Sequence, residues 1–381
     1  MIFDTVTILI CAVLAVLALL SSFSDIFFKK VSENEDNKSA DEDCPRISVI
    51  IVADNNANEL KNNLQAFLSQ KYAADYEIIV VVDRDEDGTG DVLKTFGNHS
   101  NFYATFVPDS SRYMSRRKLA ITLGVKAAKY EWILLTDATC HPVSENWISI
   151  MAKNCGMGVK MVLGYSNYSE KAGIFKIFSR FHREYTFLYE AASYGAPYGM
   201  AGNNLMFRKS MFMDGNGFQG NLKYLRGEYE FLVNKYSGCG VIQIEANPQS
   251  YVVEESPTKK EWRSKNVFYC ETRRHLSGKL RHRFFFNLDM FSLNSCLFAS
   301  FATAVYSAMS QRWLLIPVSC ITLFLPAIIR TFSARHAMRQ FNVVVPLWTV
   351  IPLELCLIWQ NLKYSIIYRR ADKYDFISHK S

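Results

Sequence analysis

The 381-residue sequence predicts an α/β domain flanked by membrane-spanning helices, and two observations carry that expectation. Short runs of Ile, Val and Leu alternate with segments of helical periodicity between Arg46 and about Lys279. Both ends of the chain are instead apolar over stretches long enough to cross a bilayer. The 27 Phe and 20 Tyr suit a protein with membrane and interfacial surface. The net charge of +7 is unevenly spread, so nucleic acid is not the partner it suggests. Nine cysteines show no CxxC pair and no Cys/His cluster, which argues for reduced, structural thiols and against zinc.

Thr5 to Ser24 carries no charge and reads as a first transmembrane helix within residues 1–30. A cleaved signal peptide fits poorly, because no basic residue precedes the apolar run. Lys29 and Lys30 then place the chain in the cytosol. Residues 31–45, mostly VSENEDNKSADED, read as an acidic flexible linker. Within the domain, residues 46–280, strands are expected at Ile47–Val52, Glu77–Val82 and Trp132–Leu135. Helices are expected at Glu59–Gln70 and Lys118–Lys129. Such alternation implies parallel pairing with right-handed crossovers, and ligands of such sheets sit at the carboxyl ends of the strands. Asp54, Asp83 and Asp137 each follow a strand end and are the first carboxylates to consider.

The run from Lys259 to Arg283 is strongly basic, as a segment drawn to a membrane surface would be. Residues 281–381 hold transmembrane and interfacial helices. Leu288–Ala308 and Trp313–Ile329 are each long enough to span, with Arg330, Arg335 and Arg339 in an inner loop. Val343 to Leu362 is apolar but contains Pro346, Pro352 and Glu354. A full span there would bury a carboxylate in lipid and put Lys363, Arg369, Arg370 and Lys373 outside. Three spans are therefore expected, with this segment broken or interfacial and the tail in the cytosol.

Four segments in order narrow the reading: ISVIIVADNN, EIIVVVDRDEDGTGDVL, SRRKLAITLGVKAAKYEWILLTDATC and TRRHLSG. Together they resemble the family 2 glycosyltransferases, most closely the membrane-anchored bacterial branch, over roughly Arg46 to Gly278. The resemblance implies a GT-A fold: a Rossmann-like nucleotide-binding half joined to an acceptor-binding half.

It also implies roles. Asp83 would bind the base and ribose of a nucleotide sugar, and Asn55 matches the asparagine of an Asn-Glu pair, although Asn56 replaces the acid. Lys118 matches a basic residue that meets the base or diphosphate. Asp137 matches the first acid of the DxD motif, whose paired carboxylates hold Mg2+ or Mn2+. Thr139 replaces the second acid, so metal binding is expected to be weak. GEYEFLV, Gly227 to Val233, resembles the acidic motif that supplies the general base, with Glu228 the first choice and Glu230 the second. Tyr229 falls where that branch has an acid. Glu271-Thr272-Arg273-Arg274-His275 resembles a Gln-x-x-Arg motif in which Arg274 would meet the leaving diphosphate and His275 would flank it. In GMAGNNLMFRK, Asn204 is retained and Asn203 replaces an arginine.

The expectation is an inverting glycosyltransferase of the inner, plasma membrane. It would be multi-pass and would move a sugar from a nucleotide-sugar donor to a lipid-linked or glycan acceptor on the cytosolic side. The departures at Asn56, Thr139, Asn203, Tyr229 and Glu271 support an alternative: a glycosyltransferase-like binding or assembly subunit with little catalysis. A nucleotidyltransferase is a third reading, but it lacks a Gly-rich basic signature near the first strand and gives no reason for the spans.

Overall fold

The computed structural model describes residues 4–32, 44–108 and 115–377. Most of the expected acidic linker and the tail from Ser378 lie outside them. In chain order the elements are α1 (Thr5–Ser24), β1 (Ile47–Ala53), α2 (Ala57–Leu68), β2 (Tyr76–Val82), α3 (Thr89–Lys94), β3 (Phe102–Phe106), α4 (Arg116–Ala127), β4 (Trp132–Asp137) and β5 (Cys140–Pro142). There follow α5 (Trp147–Ala152), β6 (Val159–Gly164), β7 (Ser166–Tyr168), α6 (Ile174–Tyr194), β8 (Leu205–Arg208), α7 (Lys209–Asp214), α8 (Glu228–Tyr236), β9 (Val241–Glu245) and β10 (Val252–Glu254). The last four helices are α9 (Lys259–His275), α10 (Lys279–Ser310), α11 (Leu315–Gln340) and α12 (Val350–Arg370).

The chain forms two compact units, one of Met1–Lys30 with Gly278–Lys363, the other of Val31–Ser277 with Tyr364–Ser381. The second is the α/β unit. Its main sheet has the strand order β3-β2-β1-β4-β8-β6-β9. The first four strands are parallel, and β1, β2 and β4 are continuous apolar runs buried on both faces. β8 runs antiparallel to β4 and to β6, a reversal that the strand–helix alternation alone does not reveal. A small sheet, β5-β10-β7, lies at the end of β4. The core is built from Ile47, Val49, Ile51, Ile78, Val80 and Leu134, closed by Leu64 and Phe67 of α2 and by Trp147 of α5.

The tail was grouped with the membrane helices on sequence, but from Tyr364 onward its packing belongs to the α/β unit. Tyr364, Tyr368 and Phe376 cluster with Val267 and Cys270 of α9, burying aromatic surface that would otherwise face water.

The other unit contains α1, α10, α11 and the first part of α12. α1, α10 and α11 are long and apolar enough to cross a membrane, and α12 is not among such helices. Polar contacts join them: Ser24 and Ser292 share a hydrogen bond of 2.7 Å, and Arg312 Nη1 donates to Asp4 at 2.5 Å. The expected end of the third span at Ile329 is not observed, because α11 continues unbroken to Gln340. Arg330 is fully buried inside it rather than in a loop. Its Nε donates to Glu354 at 2.7 Å and its Nη1 to Asp289 and to the Ser21 carbonyl, each at 2.8 Å. These partners make a helical, buried arginine tolerable here.

Candidate active site

The register of the parallel strands sets the site. β1 pairs with β2 through Ala53 and Val82, and with β4 through Val52 and Asp137. Asp54, Asp83 and Asp137 therefore emerge along one carboxyl edge. Asp54 accepts two bonds from the Arg84 guanidinium, at 2.7 and 2.8 Å. Asn55 holds the turn after β1: its φ is +54° and its Oδ1 accepts from the Glu86 N–H at 2.9 Å. Asp83 accepts from Arg116 Nε at 2.6 Å, and the Asp83 carbonyl accepts from Arg116 Nη2 at 2.5 Å. Asp137 is paired with Arg117 and accepts from the Tyr229 hydroxyl at 3.4 Å. Burial pushes its carboxyl above the ordinary range even though Arg117 pulls the other way.

A cleft of about 320 Å³ opens at Asp54 and Asp137 and runs along α8, α6 and α9. The start of α8 is fixed by Gly227, which caps it at φ +91°. A Cβ at that position would stand 2.6 Å from Thr272 in α9, so only glycine lets the two helices approach there. The first residue beyond this cap is Glu228, which lines the cleft and is 5% exposed. Its Oε2 lies 3.7 Å from Arg117 Nε, and its Oε1 has no hydrogen-bond partner among the described residues. Glu230 lines the same cleft, and burial raises its carboxyl to about 7.

The far wall carries residues that motif reading did not single out. Glu254 of β10 is paired with Lys265 of α9 and lies 3.4 Å from Arg180 of α6. Arg183 sits over the Tyr269 ring at 4.1 Å. Behind them Glu184 is fully buried under Gly202, whose missing Cβ would stand 2.2 Å from Glu184 Oε1. Burial raises the Glu184 carboxyl to about 7.

Several sequence-based candidates are placed elsewhere. Lys118 is fully buried and donates to the carbonyls of Asn221, Tyr224 and Arg226 at 2.8, 2.6 and 3.5 Å. It anchors the loop before Glu228, and of these two neighbours it is Arg117 that lines the cleft. Asn204 accepts from Trp147 Nε1 and donates to the Tyr165 and Ser250 carbonyls, a buried tie between strands. Its neighbour Asn203 lines the cleft. Arg274 is exposed and donates to the Tyr368 hydroxyl at 3.2 Å. His275 stacks on Tyr224 and bonds Glu271 at 2.9 Å. Neither Arg274 nor His275 lines the cleft.

A divalent ion at Asp137 would need several further oxygen ligands. The second position of the motif is a threonine, and Asp137 Oδ1 is already held by a guanidinium and a phenol. No group of three His, Cys, Asp or Glu among the described residues could hold an ion. With Thr139 in the second position and Asp137 Oδ1 taken, the site offers a divalent ion fewer protein ligands than a paired-carboxylate motif would.

Residues 10–363 match the model of glycosyl transferase family 21. The chain belongs to that family. Among solved structures, this family 21 chain is similar to the mannosyltransferase PcManGT from Pyrobaculum calidifontis, in complex with GDP-Man and Mn2+. The TM-score is 0.55 at 16% identity, over 93% of this chain and 97% of that one. TarS 1-349 from S. aureus aligns with a TM-score of 0.41 at 12% identity, over 86% and 93% of the two chains. No curated protein matches the chain. The family match makes this a glycosyltransferase, as the ordered motifs implied, and the first likeness gives it the GT-A fold.

Proposed function

We propose that this family 21 chain is a membrane-bound inverting glycosyltransferase. It moves a sugar from a nucleotide-sugar donor to a lipid-linked or glycan acceptor at the cytosolic membrane face. One observation carries the reading: Glu228 opens α8 with one carboxylate oxygen unpartnered, in the same cleft as Asp137 at the strand edge. A nucleotide bound at the carboxyl edge, the usual ligand position in such sheets, directs its sugar into this cleft. Glu228 then takes the proton of the acceptor hydroxyl as that oxygen attacks the anomeric carbon. The bond from that carbon to the diphosphate breaks, and the electron pair leaves with the nucleoside diphosphate. Trp262 on α9 offers an aromatic ring to an acceptor sugar or lipid headgroup. The three apolar helices support membrane attachment. No step runs through a metal ion.

The test is release of nucleoside diphosphate from a panel of nucleotide sugars by the purified full chain, with membrane lipid extract as acceptor source. Release that needs both one donor and the extract supports the reading. No release from any donor would favour the binding-subunit alternative.

A further inference from the structure

Resting on that reading, we propose that the guanidinium of Arg117, rather than a divalent ion, is the counter-charge for the donor's diphosphate. The argument begins with charge. Eight acidic and five basic side chains line the cleft, so a diphosphate enters only where a local cation overrides the excess of carboxylates. Four of the five basic groups are poorly placed for this. Lys265 and Arg180 are committed to Glu254. Arg183 lies over Tyr269 and donates to Asn266 Oδ1 at 3.4 Å. Arg226 is exposed. Arg117 remains. It springs from the first turn of α4 and pairs with Asp137, where the motif would otherwise recruit an ion.

The substitution at Thr139 is the complementary half of the argument. Two carboxylates need a dication between them to accept an anion, whereas a guanidinium beside one carboxylate can turn its other N–H donors to an anion directly. A guanidinium stays charged at all working pH values and offers a planar fork that matches two phosphate oxygens. The same side chain lies 3.7 Å from Glu228. As the diphosphate draws the guanidinium toward itself, the Glu228 carboxylate is released to act as base, so donor occupancy and base activation are joined in one residue.

The experiment is calorimetric titration of the full chain in detergent with UDP, GDP, CDP and ADP, in EDTA and in manganese. Binding of one diphosphate in EDTA, within about threefold of its affinity in manganese, is expected. Arg117→Gln should lose about tenfold or more, as expected for a charge-assisted bond, with a smaller loss for the matching monophosphate. Arg117→Lys, which keeps the charge without the fork, should fall between. Binding that appears only with manganese overturns the proposal and leaves the donor reading intact. An Arg117→Gln affinity equal to wild type in EDTA also overturns it. No binding of any diphosphate in either medium sinks the donor reading, and this proposal with it. The wild-type comparison decides the matter even where the glutamine variant does not fold.

Discussion

The ammonium of Lys118 donates to the carbonyl of Tyr224 at 2.6 Å, across 106 residues of sequence. With its bonds to Asn221 and Arg226 it pins the loop that delivers Gly227 and Glu228 to the cleft. Lys118→Met removes the donor and leaves buried carbonyls unsatisfied, at a cost of about 1–3 kcal/mol. The variant should melt earlier and turn over more slowly, with donor KM nearly unchanged, because the displaced group is Glu228. A large rise in donor KM with unaltered melting would instead make Lys118 a nucleotide ligand.

Glu228→Gln preserves shape and deletes the base. Turnover should fall about 100- to 10,000-fold while nucleoside diphosphate still binds. Glu228→Asp, which draws the carboxylate back by about 1 Å, should keep a small residue of activity. Unchanged turnover in Glu228→Gln would transfer the role to Glu230, which lines the same cleft.

Glu184 gives the α/β unit a pH signature. Its ordinary value is 4.5, and burial raises it to about 7 in the folded protein. Between those values the folded state holds a proton that the unfolded chain has lost. Its contribution is thus complete below 4.5 and disappears as pH rises through 7, on the order of 3 kcal/mol. Glu184→Gln should flatten the denaturation midpoint between pH 5 and 8, matching wild type at the acid end and exceeding it at the alkaline end. A wild-type midpoint that climbs over this range would contradict the assignment.

Arg330 is ion-paired with three buried carboxylates, Asp25, Asp289 and Glu354. Arg330→Leu removes that pairing from all three and should cost about 3–5 kcal/mol, read as early thermal unfolding in detergent. Adding Glu354→Leu should recover part of that loss. Equal instability of the double variant would show that the ion pair is not what holds these helices.

How much of this could be read in the sequence depends on whether a pattern reports direction. The strands were legible because Ile, Val and Leu run without interruption, and their ends placed Asp54, Asp83 and Asp137 on one edge. Lys118 is placed away from the cleft lining, because motif matching ignores helical register. It shares the buried face of α4 with Ile121 and Val125, three and seven residues on, a stripe that points inward. Arg274 lies outside the lining for the same reason. Trp262, Lys265, Tyr269 and Thr272 line the cleft at intervals of three, four and three residues, and Arg274 falls off that stripe. The antiparallel direction of β8 was not anticipated, because four residues are too few to set one. Arg330 was read as a loop residue because its compensation by Asp289 and Glu354 comes from distant helices and leaves no local trace.

The last prediction concerns sidedness. Ring centroids of Phe268 in α9 and Phe376 in the tail lie 5.1 Å apart, and the Leu225 N–H donates to the Phe376 carbonyl at 3.1 Å. The tail and the α/β unit are therefore expected on one side of the membrane. Between Ser277 and Tyr364 the chain must cross an even number of times. α10 and α11 are the two helices there with the length and apolarity to do so. α12 then does not cross, which agrees with Glu354 being buried against Arg330 rather than exposed to lipid. In a cysteine-free background, Tyr374→Cys in the tail and Lys126→Cys on α4 should react with an impermeant thiol reagent only after the cells are opened. Met309→Cys, at the far end of α10, should react in intact cells. Labelling of Tyr374→Cys in intact cells while Lys126→Cys stays protected would mean four crossings. It would also break the packing of Phe376 on Phe268, so the topology and the tail contact stand or fall on that one comparison.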